Sequence, residues 1–365
     1  MTPPVGQRSN EVAGKLEAVR SWIEASSLEG VVVSSQPGFA WVTAGGHNHV
    51  SVGRAAGAAA VLVTTSDVYL LTPTMERARM VDEEVGELGF EVIERPWYQP
   101  LSVDGLCDPA RCASDVEALG LKPADGLAQL RYTLGPDEID RYRRLGADAA
   151  EALETACRAA RPGDTELAVA ARVASESVAR NILPLVNLVA ADERIDRYRH
   201  PLPGPKLVRR RLMVALTGRR HGLHASLTRM VSFGPAEPDI ADRHAAVRRV
   251  DARMLSESRP GTTLGAVLDA AIEHYAAEGY PGEWERHHQG GLTGYGGREI
   301  LVAPGQSHRI ETGQALAWNP SITGVKSEDT VLATADRHPE VLTCTPAWPR
   351  EGSEGLERPL MLQAE

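Results

Sequence analysis

The short sequence RPGDT at residues 161–165 recurs as RPGTT at residues 259–263, and this repeat decides the fold. In each copy a helical pattern precedes the arginine and a second helical pattern follows the threonine. Proline and glycine end the first helix, and the aspartate or threonine that follows caps the next one. A chance match is possible, since this helix stop is common. The equivalent contexts favour an internal duplication, whose two halves would enclose a cleft suited to an active site.

Helical periodicity predicts two helices beside each copy of the repeat. The first pair is a long helix that begins at residue 136 and a helix at 166–179. The second pair is predicted at 245–258 and 264–277. A stretch typical of β-strands follows each pair, so this part of the chain is predicted to be α+β.

The first third of the chain alternates between strand and helix patterns. This alternation is typical of a small α/β domain. A helix is predicted at residues 75–85. The predicted strands are 31–33, 58–64, 68–71 and 90–93.

Length and composition indicate a folded protein of two domains. The 365 residues exceed the size at which a single hydrophobic core stops growing. Hydrophobic residues make up 42% and charged residues 24%, which is typical of a globular protein and not of a disordered one. We predict domains at residues 1–130 and 131–350, followed by a C-terminal tail at 351–365.

The net charge of −10 argues against a nucleic-acid partner, because binding to phosphates requires a basic face. The arginines at 209–211 are better explained as a solvated edge. No apolar run reaches the roughly 20 residues that span a bilayer, and the N-terminus lacks the apolar core of a signal peptide. We therefore expect a soluble, cytoplasmic protein that binds a small molecule and no membrane.

The four cysteines show neither a CxxC motif nor zinc-finger spacing. This pattern predicts reduced, unpaired thiols, as is usual in the cytosol. The four are Cys107, Cys112, Cys157 and Cys344.

Several segments of the second half resemble one family. LHASLTR at 223–229, HHQGGLTGYGGRE at 287–299, WNP at 318–320 and VKSEDTVL at 325–332 resemble segments of the pita-bread enzymes, such as creatinase, aminopeptidase P, prolidase and methionine aminopeptidase. The last segment is similar to the family's VRIEDTVL strand. The resemblance implies a C-terminal pita-bread domain with pseudo-twofold duplicated halves, preceded by a smaller creatinase-type α/β domain.

The peptidases of this family bind two metal ions through two aspartates, one histidine and two glutamates. At the matching positions this chain has Leu216, Ser226 and Asn319, while Glu328 is kept and His288 is a possible match for the histidine. A shifted alignment recovers no ligand, because residues 197–235 contain no aspartate or glutamate. One carboxylate and one imidazole cannot balance two divalent cations. We therefore expect neither a metal nor any other cofactor.

The resemblance to creatinase implies acid–base chemistry by histidine. His200, in the segment that matches the catalytic histidine of creatinase, would act first as general base and then as general acid. Glu328 would orient a polar substrate group or the water, and His288 would polarise a developing oxyanion or complete a two-histidine relay.

Further residues of the matching segments are predicted to contact the substrate. Arg229 has an equally good alternative role in a structural ion pair with Glu328 or Asp329, and Trp318 is better explained as a core residue. The predicted contacts are His224, Ser226, Arg229, His287, Tyr295, Glu299, Trp318, Asn319 and Lys326.

The segment that includes His47, His49 and Arg54 matches the part of creatinase that reaches the neighbouring subunit's active site. The resemblance thus implies a homodimer in which these residues border the partner's pocket. A polar surface loop is an equally good explanation.

The leading functional prediction is a metal-independent, creatinase-like hydrolase of a C–N bond in a small polar amide or amidine. A lyase, cyclase or isomerase on the same residues is one alternative, since a fold does not fix a reaction. A second is a metal-dependent Xaa-Pro aminopeptidase or dipeptidase that binds metal through an unrecognised set of ligands. A third is a non-catalytic binding module of the same fold.

Overall fold

The computed structural model describes residues 5–336, 338–352 and 356–364. The chain divides into two units, Met1–Tyr132 and Thr133–Glu365. Residues 1–4 of the predicted first domain lie outside the described residues. Among the helices of the described ranges, none combines the length and the apolar character needed to cross a bilayer.

The first unit is built on one five-stranded sheet. Its elements are α1 (Val5–Ala25), β1 (Gly30–Ser35), α2 (Gln36–Val42), β2 (Ala56–Thr64), β3 (Val68–Pro73), α3 (Arg77–Arg79) continuing as a π-helical turn (Met80–Val85), β4 (Glu91–Arg95) and β5 (Cys112–Ser114).

The strands of this sheet lie in the order β4-β3-β2-β1-β5. β1 and β3 are each antiparallel to β2, whereas β5 and β4 lie parallel to β1 and β3 respectively. Every residue of β1 is buried, which explains its unbroken run of valines. The four strands and the helix predicted in this region are present, and the three-residue β5 is too short to give a sequence pattern.

The prediction of four unpaired cysteines is wrong for two of them. Cys107 and Cys112 form a disulfide. The 3₁₀ turn at Pro109–Arg111 reverses the chain between them, so that their side chains meet. Cys157 and Cys344 are free thiols.

The second unit contains the repeated halves. Its elements are α4 (Pro136–Ala159), α5 (Glu166–Ala179), β6 (Leu183–Ala191), α6 (Glu193–Arg197), β7 (Arg211–Arg220), β8 (Leu223–Phe233), α7 (Pro238–Glu257), α8 (Leu264–Ala277), β9 (Gly290–Thr293), β10 (Ile300–Leu301), β11 (Ala315–Trp318), β12 (Ser321–Ile322), β13 (Val325–Lys326), β14 (Asp329–Leu332), β15 (Glu340–Val341), β16 (Arg350–Glu351), β17 (Arg358–Pro359) and β18 (Leu362–Ala364).

Two sheets form the centre of this unit. One has the order β18-β8-β7-β6, and the other has the order β10-β9-β11-β14-β15. They meet where β8 runs beside the start of β14, since the backbone N–H of Thr228 donates to the carbonyl of Glu328 at 3.1 Å. The first half of the repeat contributes β6–β8, and the second contributes β9, β11 and β14.

The two copies of the repeat adopt the same local structure. Gly163 and Gly261 both have positive φ, and each donates its N–H at 2.8 Å to a carbonyl of a later segment, that of Val208 and Ile310 respectively. Thr165 then caps α5, as Thr263 caps α8, by accepting a hydrogen bond from the N–H three residues later. The predicted duplication is therefore confirmed. Only α7 departs from its prediction, because it begins at Pro238, where proline suits the first helical turn but the sequence lacks apolar periodicity.

A buried network of charges joins the two halves to the C-terminal segment. Arg229 on β8 donates to Glu154 of α4 and to Asp329 of β14, both at 3.1 Å. Arg358 on β17 donates to the other oxygen of Asp329 at 2.6 Å and to Asp251 of α7 at 2.7 Å. Each buried carboxylate thus faces a guanidinium, which offsets much of the cost of removing these charges from water.

The predicted C-terminal tail at 351–365 contributes structure to the second unit. β18 lies parallel to β8 and extends its sheet, and Arg358 anchors β17 in the buried network. Residues 353–355 and 365 of this segment lie outside the described residues.

Removal of Arg358 should destabilise the fold strongly. We expect Arg358→Met to lower the free energy of unfolding by about 3–5 kcal/mol, because it leaves Asp251 and Asp329 buried without one of their cations. The matched control is Arg143→Met, whose pair with Glu340 is exposed and should contribute less than about 1 kcal/mol. Denaturant unfolding of both variants measures the difference, and equal losses would contradict the structural role of the network.

Candidate active site

A cavity of about 290 Å³ lies between the two halves of the second unit. Strands β6 and β7 form an apolar wall, and segments of the second half supply most of the polar groups. The polar side chains that line it are His200, Thr217, His224, His288, Arg298, Asn319, Lys326 and Glu328.

Glu328 is the single carboxylate of this lining and is held by three donors. It accepts hydrogen bonds from the Thr228 hydroxyl at 2.6 Å and from Lys326 Nζ at 2.8 Å, while Arg298 lies 3.5 Å away. Burial alone would raise the pKa of Glu328, but the charges of Lys326 and Arg298 outweigh it and lower the pKa to about 2. Glu328 is therefore ionised at neutral pH and already paired with cations.

Three histidines form a cluster at one end of the cavity. The Nε2 atoms of His200 and His287 are 3.0 Å apart, and the rings of His287 and His288 stack with centroids 4.4 Å apart. One potential ligand nitrogen from each ring lies within 4.8 Å of the other two. His287, 8% exposed, lies behind the lining, whereas His200 is exposed.

All three imidazoles are predominantly neutral at pH 7. Partial desolvation of the imidazole by its neighbours, reinforced by the charge of Lys326, lowers the pKa of His200. The same causes lower the pKa of His287 to about 2, and burial with the charges of Arg298 and Lys326 lowers that of His288 to about 4. A neutral imidazole keeps a lone pair that can accept a proton or bind a metal ion.

Neighbouring residues hold the cluster together. His200 follows α6, and His287 follows a 3₁₀ turn at Glu283–Arg286, so the histidines come from separate halves. Arg199 joins these two segments because it donates to Glu283 at 2.6 Å. Gln289 fixes the backbone beside His287 by donating to its carbonyl at 2.7 Å.

Arg298, which the sequence analysis did not select, is a central residue of the cavity. Its Nη1 donates to the carbonyl of Gly297 at 2.7 Å, and its buried Nε has no hydrogen-bond partner within the described ranges. Ser226 lies beneath it, with Oγ 2.9 Å from Oγ1 of Thr217 and 3.5 Å from the guanidinium. The glycine-rich segment that contains Arg298 was a usable signal, but its neighbours Tyr295 and Glu299 were chosen instead.

Six predicted substrate contacts lie outside the cavity lining: Ser226 and His287 contact residues of the lining, and the other four are bound elsewhere. Arg229 belongs to the buried charge network, and Trp318 is fully buried with its indole N–H donating to Ser258 at 2.8 Å. Tyr295 is also fully buried and donates to Glu138 at 2.7 Å. Glu299 accepts a hydrogen bond from its own loop, at the N–H of Gly296. These side chains have structural roles that sequence position alone does not separate from substrate contact.

Strand β7 offers no carboxylate to the cavity. Ala215, Leu216 and Thr217 all line it, and on β8 Thr217 pairs with Ser226 and Leu216 with Leu227. The family's first aspartate, whose position matches Leu216, therefore has no counterpart among these residues.

The three residues predicted to reach a partner subunit lie in the first unit. The backbone N–H of His47 donates to Glu84 at 2.7 Å, and its ring contacts that of His49 edge to face. Arg54 is exposed. Their role in a homodimer stays a prediction.

Comparison with known proteins identifies the family. Residues 140–335 match the model of metallopeptidase family M24. The chain belongs to metallopeptidase family M24. A curated relative, the probable dipeptidase PepE of Mycobacterium tuberculosis (strain ATCC 25618 / H37Rv), is 27% identical over an alignment of 317 residues that covers 78% of this chain and 83% of the relative.

Solved structures have the same fold. Dipeptidase PepE from Mycobacterium ulcerans has a TM-score of 0.76 at 21% identity and covers 93% of this chain and 97% of its own. The prolidase from Pyrococcus horikoshii OT3 has a TM-score of 0.74 at 18% identity, with 91% and 98% covered. The pita-bread fold with an N-terminal domain, predicted from the sequence, is thereby confirmed.

The prediction of a metal-independent, creatinase-like amide or amidine hydrolase is wrong. The chain belongs to a family of metallopeptidases, and its curated relative is named a probable dipeptidase. These findings agree with the alternative of a metal-dependent Xaa-Pro aminopeptidase or dipeptidase. The error arose because missing carboxylates were taken to mean a missing metal, although imidazoles are also metal ligands.

The two-metal carboxylate centre of family M24 does not fit these residues. Ser226 and Asn319 are neutral, and Glu328 is already bound by Lys326 and Arg298. Hard divalent ions in such a centre need several carboxylate oxygens, and this cavity supplies one such group.

Burial of neutral histidines should make the fold sensitive to acid. Burial and the charge of Arg219 lower the pKa of His224 to about 4, so the unfolded chain takes up this proton more readily than the folded one. The stabilising contribution is present above pH 6.5 and is lost as the pH falls toward 4. The free energy of unfolding of the wild type should therefore be lower at pH 5 than at pH 7, and His224 should account for about 2 kcal/mol of that loss. We expect His224→Gln to abolish this part of the loss.

Denaturant unfolding at the two pH values measures this effect. His244→Gln offers a comparison outside the cavity, because burial lowers the pKa of His244 to about 3 and predicts a similar change. Identical pH dependence in the wild type and both variants would contradict the expectation.

Proposed function

We propose that this protein is a peptidase that hydrolyses the C–N bond of a dipeptide-sized substrate in the cavity around Glu328. Membership of family M24 and the likeness to a probable dipeptidase support this reaction class. The observation that carries the substrate assignment is the charge of the cavity. Lys326 and Arg298 supply two cations against the single carboxylate of Glu328.

This surplus positive charge favours a substrate that carries a carboxylate. A buried cation without a full counter-charge is costly, and a bound anion reduces that cost. The unpartnered Nε of Arg298 leaves part of its guanidinium available for a hydrogen bond to such a group within the part of the chain that the structure describes. The free C-terminus of a dipeptide supplies the anion.

The size of the cavity agrees with a small substrate. A volume of about 290 Å³ lies at the lower end of the range for small-molecule sites. The apolar wall of Leu185, Val186 and Leu188 offers a surface for a hydrophobic side chain or a proline ring. Asn319, whose buried Oδ1 has no partner in the described residues, is available to accept a hydrogen bond from a peptide N–H or an amino group.

The reaction adds one water across the peptide bond. The hydroxyl joins the carbonyl carbon, the C–N bond breaks, and the proton passes to the leaving nitrogen. The neutral imidazoles of His200 and His288 line the cavity, and their lone pairs are available to hold a metal ion that would activate the water. Glu328 positions Lys326 and Arg298, and these cations orient the substrate carboxylate.

The carboxylate preference can be tested with a panel of Xaa-Pro and other dipeptides, assayed with added divalent metal ions. We expect hydrolysis of dipeptides with a free C-terminus and at least a roughly 10-fold lower kcat/KM for their C-terminal amides, because a charge-assisted hydrogen bond contributes about 1.5–3 kcal/mol. Equal hydrolysis of both forms would refute the proposed carboxylate contact. Absence of hydrolysis across the panel would refute the proposed function.

Lys326→Met should raise KM for free dipeptides by about 10-fold or more, for the same energetic reason. It should affect the amidated peptides much less. The control is Lys206→Met, which removes a lysine paired with Glu193 outside the cavity. An equal change of KM for both classes of peptide would assign Lys326 a purely structural role.

A further inference from the structure

We propose that His200, His287 and His288 bind one transition-metal ion through three imidazole nitrogens. This site would replace the two-metal carboxylate centre that the residues of the cavity do not form. The role of the ion in hydrolysis rests on the proposed peptidase function, whereas the geometry of the ligands does not.

The arrangement of the nitrogens is close to that of a three-histidine metal site. Tetrahedral coordination at the usual Zn–N distance of about 2.0 Å places ligand nitrogens roughly 3.3 Å apart. Here the Nε2 atoms of His200 and His287 are 3.0 Å apart, and one nitrogen from each of the three rings lies within 4.8 Å of the others.

The hydrogen bonding of the rings also indicates a missing ligand. The Nδ1 atoms of His287 and His288 are buried and have no hydrogen-bond partner among residues 5–336, 338–352 and 356–364. An unpartnered polar atom in a buried position is unfavourable and calls for a water or an ion. For His287 the proposed ligand atom is Nε2, which faces His200, so the unsatisfied group that favours a ligand here is Nδ1 of His288.

The segments that carry the histidines are fixed before any ion binds. Arg199 and Glu283 form an ion pair at 2.6 Å, and Glu283 also accepts hydrogen bonds from the N–H and hydroxyl of Thr323 at 2.8 and 2.9 Å. This clamp holds the loop of His200 against the turn that precedes His287. Such supporting contacts orient metal ligands and raise their affinity.

The ligand set predicts which ions bind. Three neutral imidazoles suit Zn²⁺, Co²⁺, Ni²⁺ or Cu²⁺, whereas Mg²⁺, Ca²⁺ and Mn²⁺ prefer carboxylate and carbonyl oxygens. Lys326 and Arg298 lie nearby and repel any cation, so weakly binding ions should be excluded. Glu328 offsets part of that charge. An ion held by three histidines keeps an open position and supplies a water of lowered pKa.

Metal titration of the full-length, chelator-stripped protein tests this site. Calorimetry with ZnCl₂ and with CoCl₂ should each give one equivalent per chain, with a visible absorption spectrum for bound cobalt, and MnCl₂ should bind at least about 10-fold more weakly than ZnCl₂. Two equivalents, no saturable binding, or equal affinity for Mn²⁺ and Zn²⁺ would each overturn the proposal. These measurements use the wild-type protein, so they do not depend on whether a variant folds.

Variants locate the ion. His287→Ala and His288→Ala should each weaken zinc binding by more than about 10-fold, the lower bound seen when only a supporting residue is lost. The control His274→Ala removes a histidine of α8 that pairs with Glu278 outside the cavity, and it should bind zinc as the wild type does. Thermal unfolding of the metal-free variants confirms that they are folded. Zinc affinity unchanged by both cluster substitutions would reject these ligands.

Activity assays separate this proposal from the proposed function. Stoichiometric zinc binding without hydrolysis of any dipeptide leaves the metal site standing and refutes the peptidase. Hydrolysis by the chelator-stripped protein at the rate of the zinc-loaded protein supports the peptidase and overturns a metal site with a part in the reaction.

Discussion

The alternation of side chains along one strand determines both the stability of the second unit and the chemistry of its cavity. Asp329 points into the buried network, where Arg229 from the first half and Arg358 from the C-terminal segment bind its two oxygens. Its neighbour Glu328 points to the other face and meets Lys326 and Arg298 in the cavity. Because a shift of one residue would exchange the two carboxylates, the network also fixes the register of the active-site residues.

The pairing of Glu328 with two cations changes what this cavity can bind. A carboxylate that already accepts from Thr228 and Lys326 has little capacity left for a hard metal ion. The same two cations make the cavity attractive to an anionic substrate group. Neutral imidazoles remain as the groups that could hold a metal ion and, through it, activate water. The scaffold of family M24 is thus retained, while carboxylates give way to cations and imidazoles around one surviving glutamate.

Features set by local sequence could be predicted, and features set by contacts between distant segments could not. The proline, glycine and threonine of each repeat specify a helix end and a helix cap within a few residues, so both turns were found. The disulfide of Cys107 and Cys112 depends on a 3₁₀ turn that leaves no periodic pattern.

The histidine cluster shows why the ligand positions of a family are an incomplete guide to metal binding. A comparison made only at the family's ligand positions shows which metal ligands are missing. It cannot show new ligands at other positions of the chain. His200 and His287 are 87 positions apart and meet where the ion pair of Arg199 and Glu283 joins their segments. The two rings are close together only in the folded chain, and the spacing of these residues along the sequence does not predict their contact. A cavity that has lost its carboxylates can therefore still gather soft nitrogen ligands, and these select a different class of metal ion.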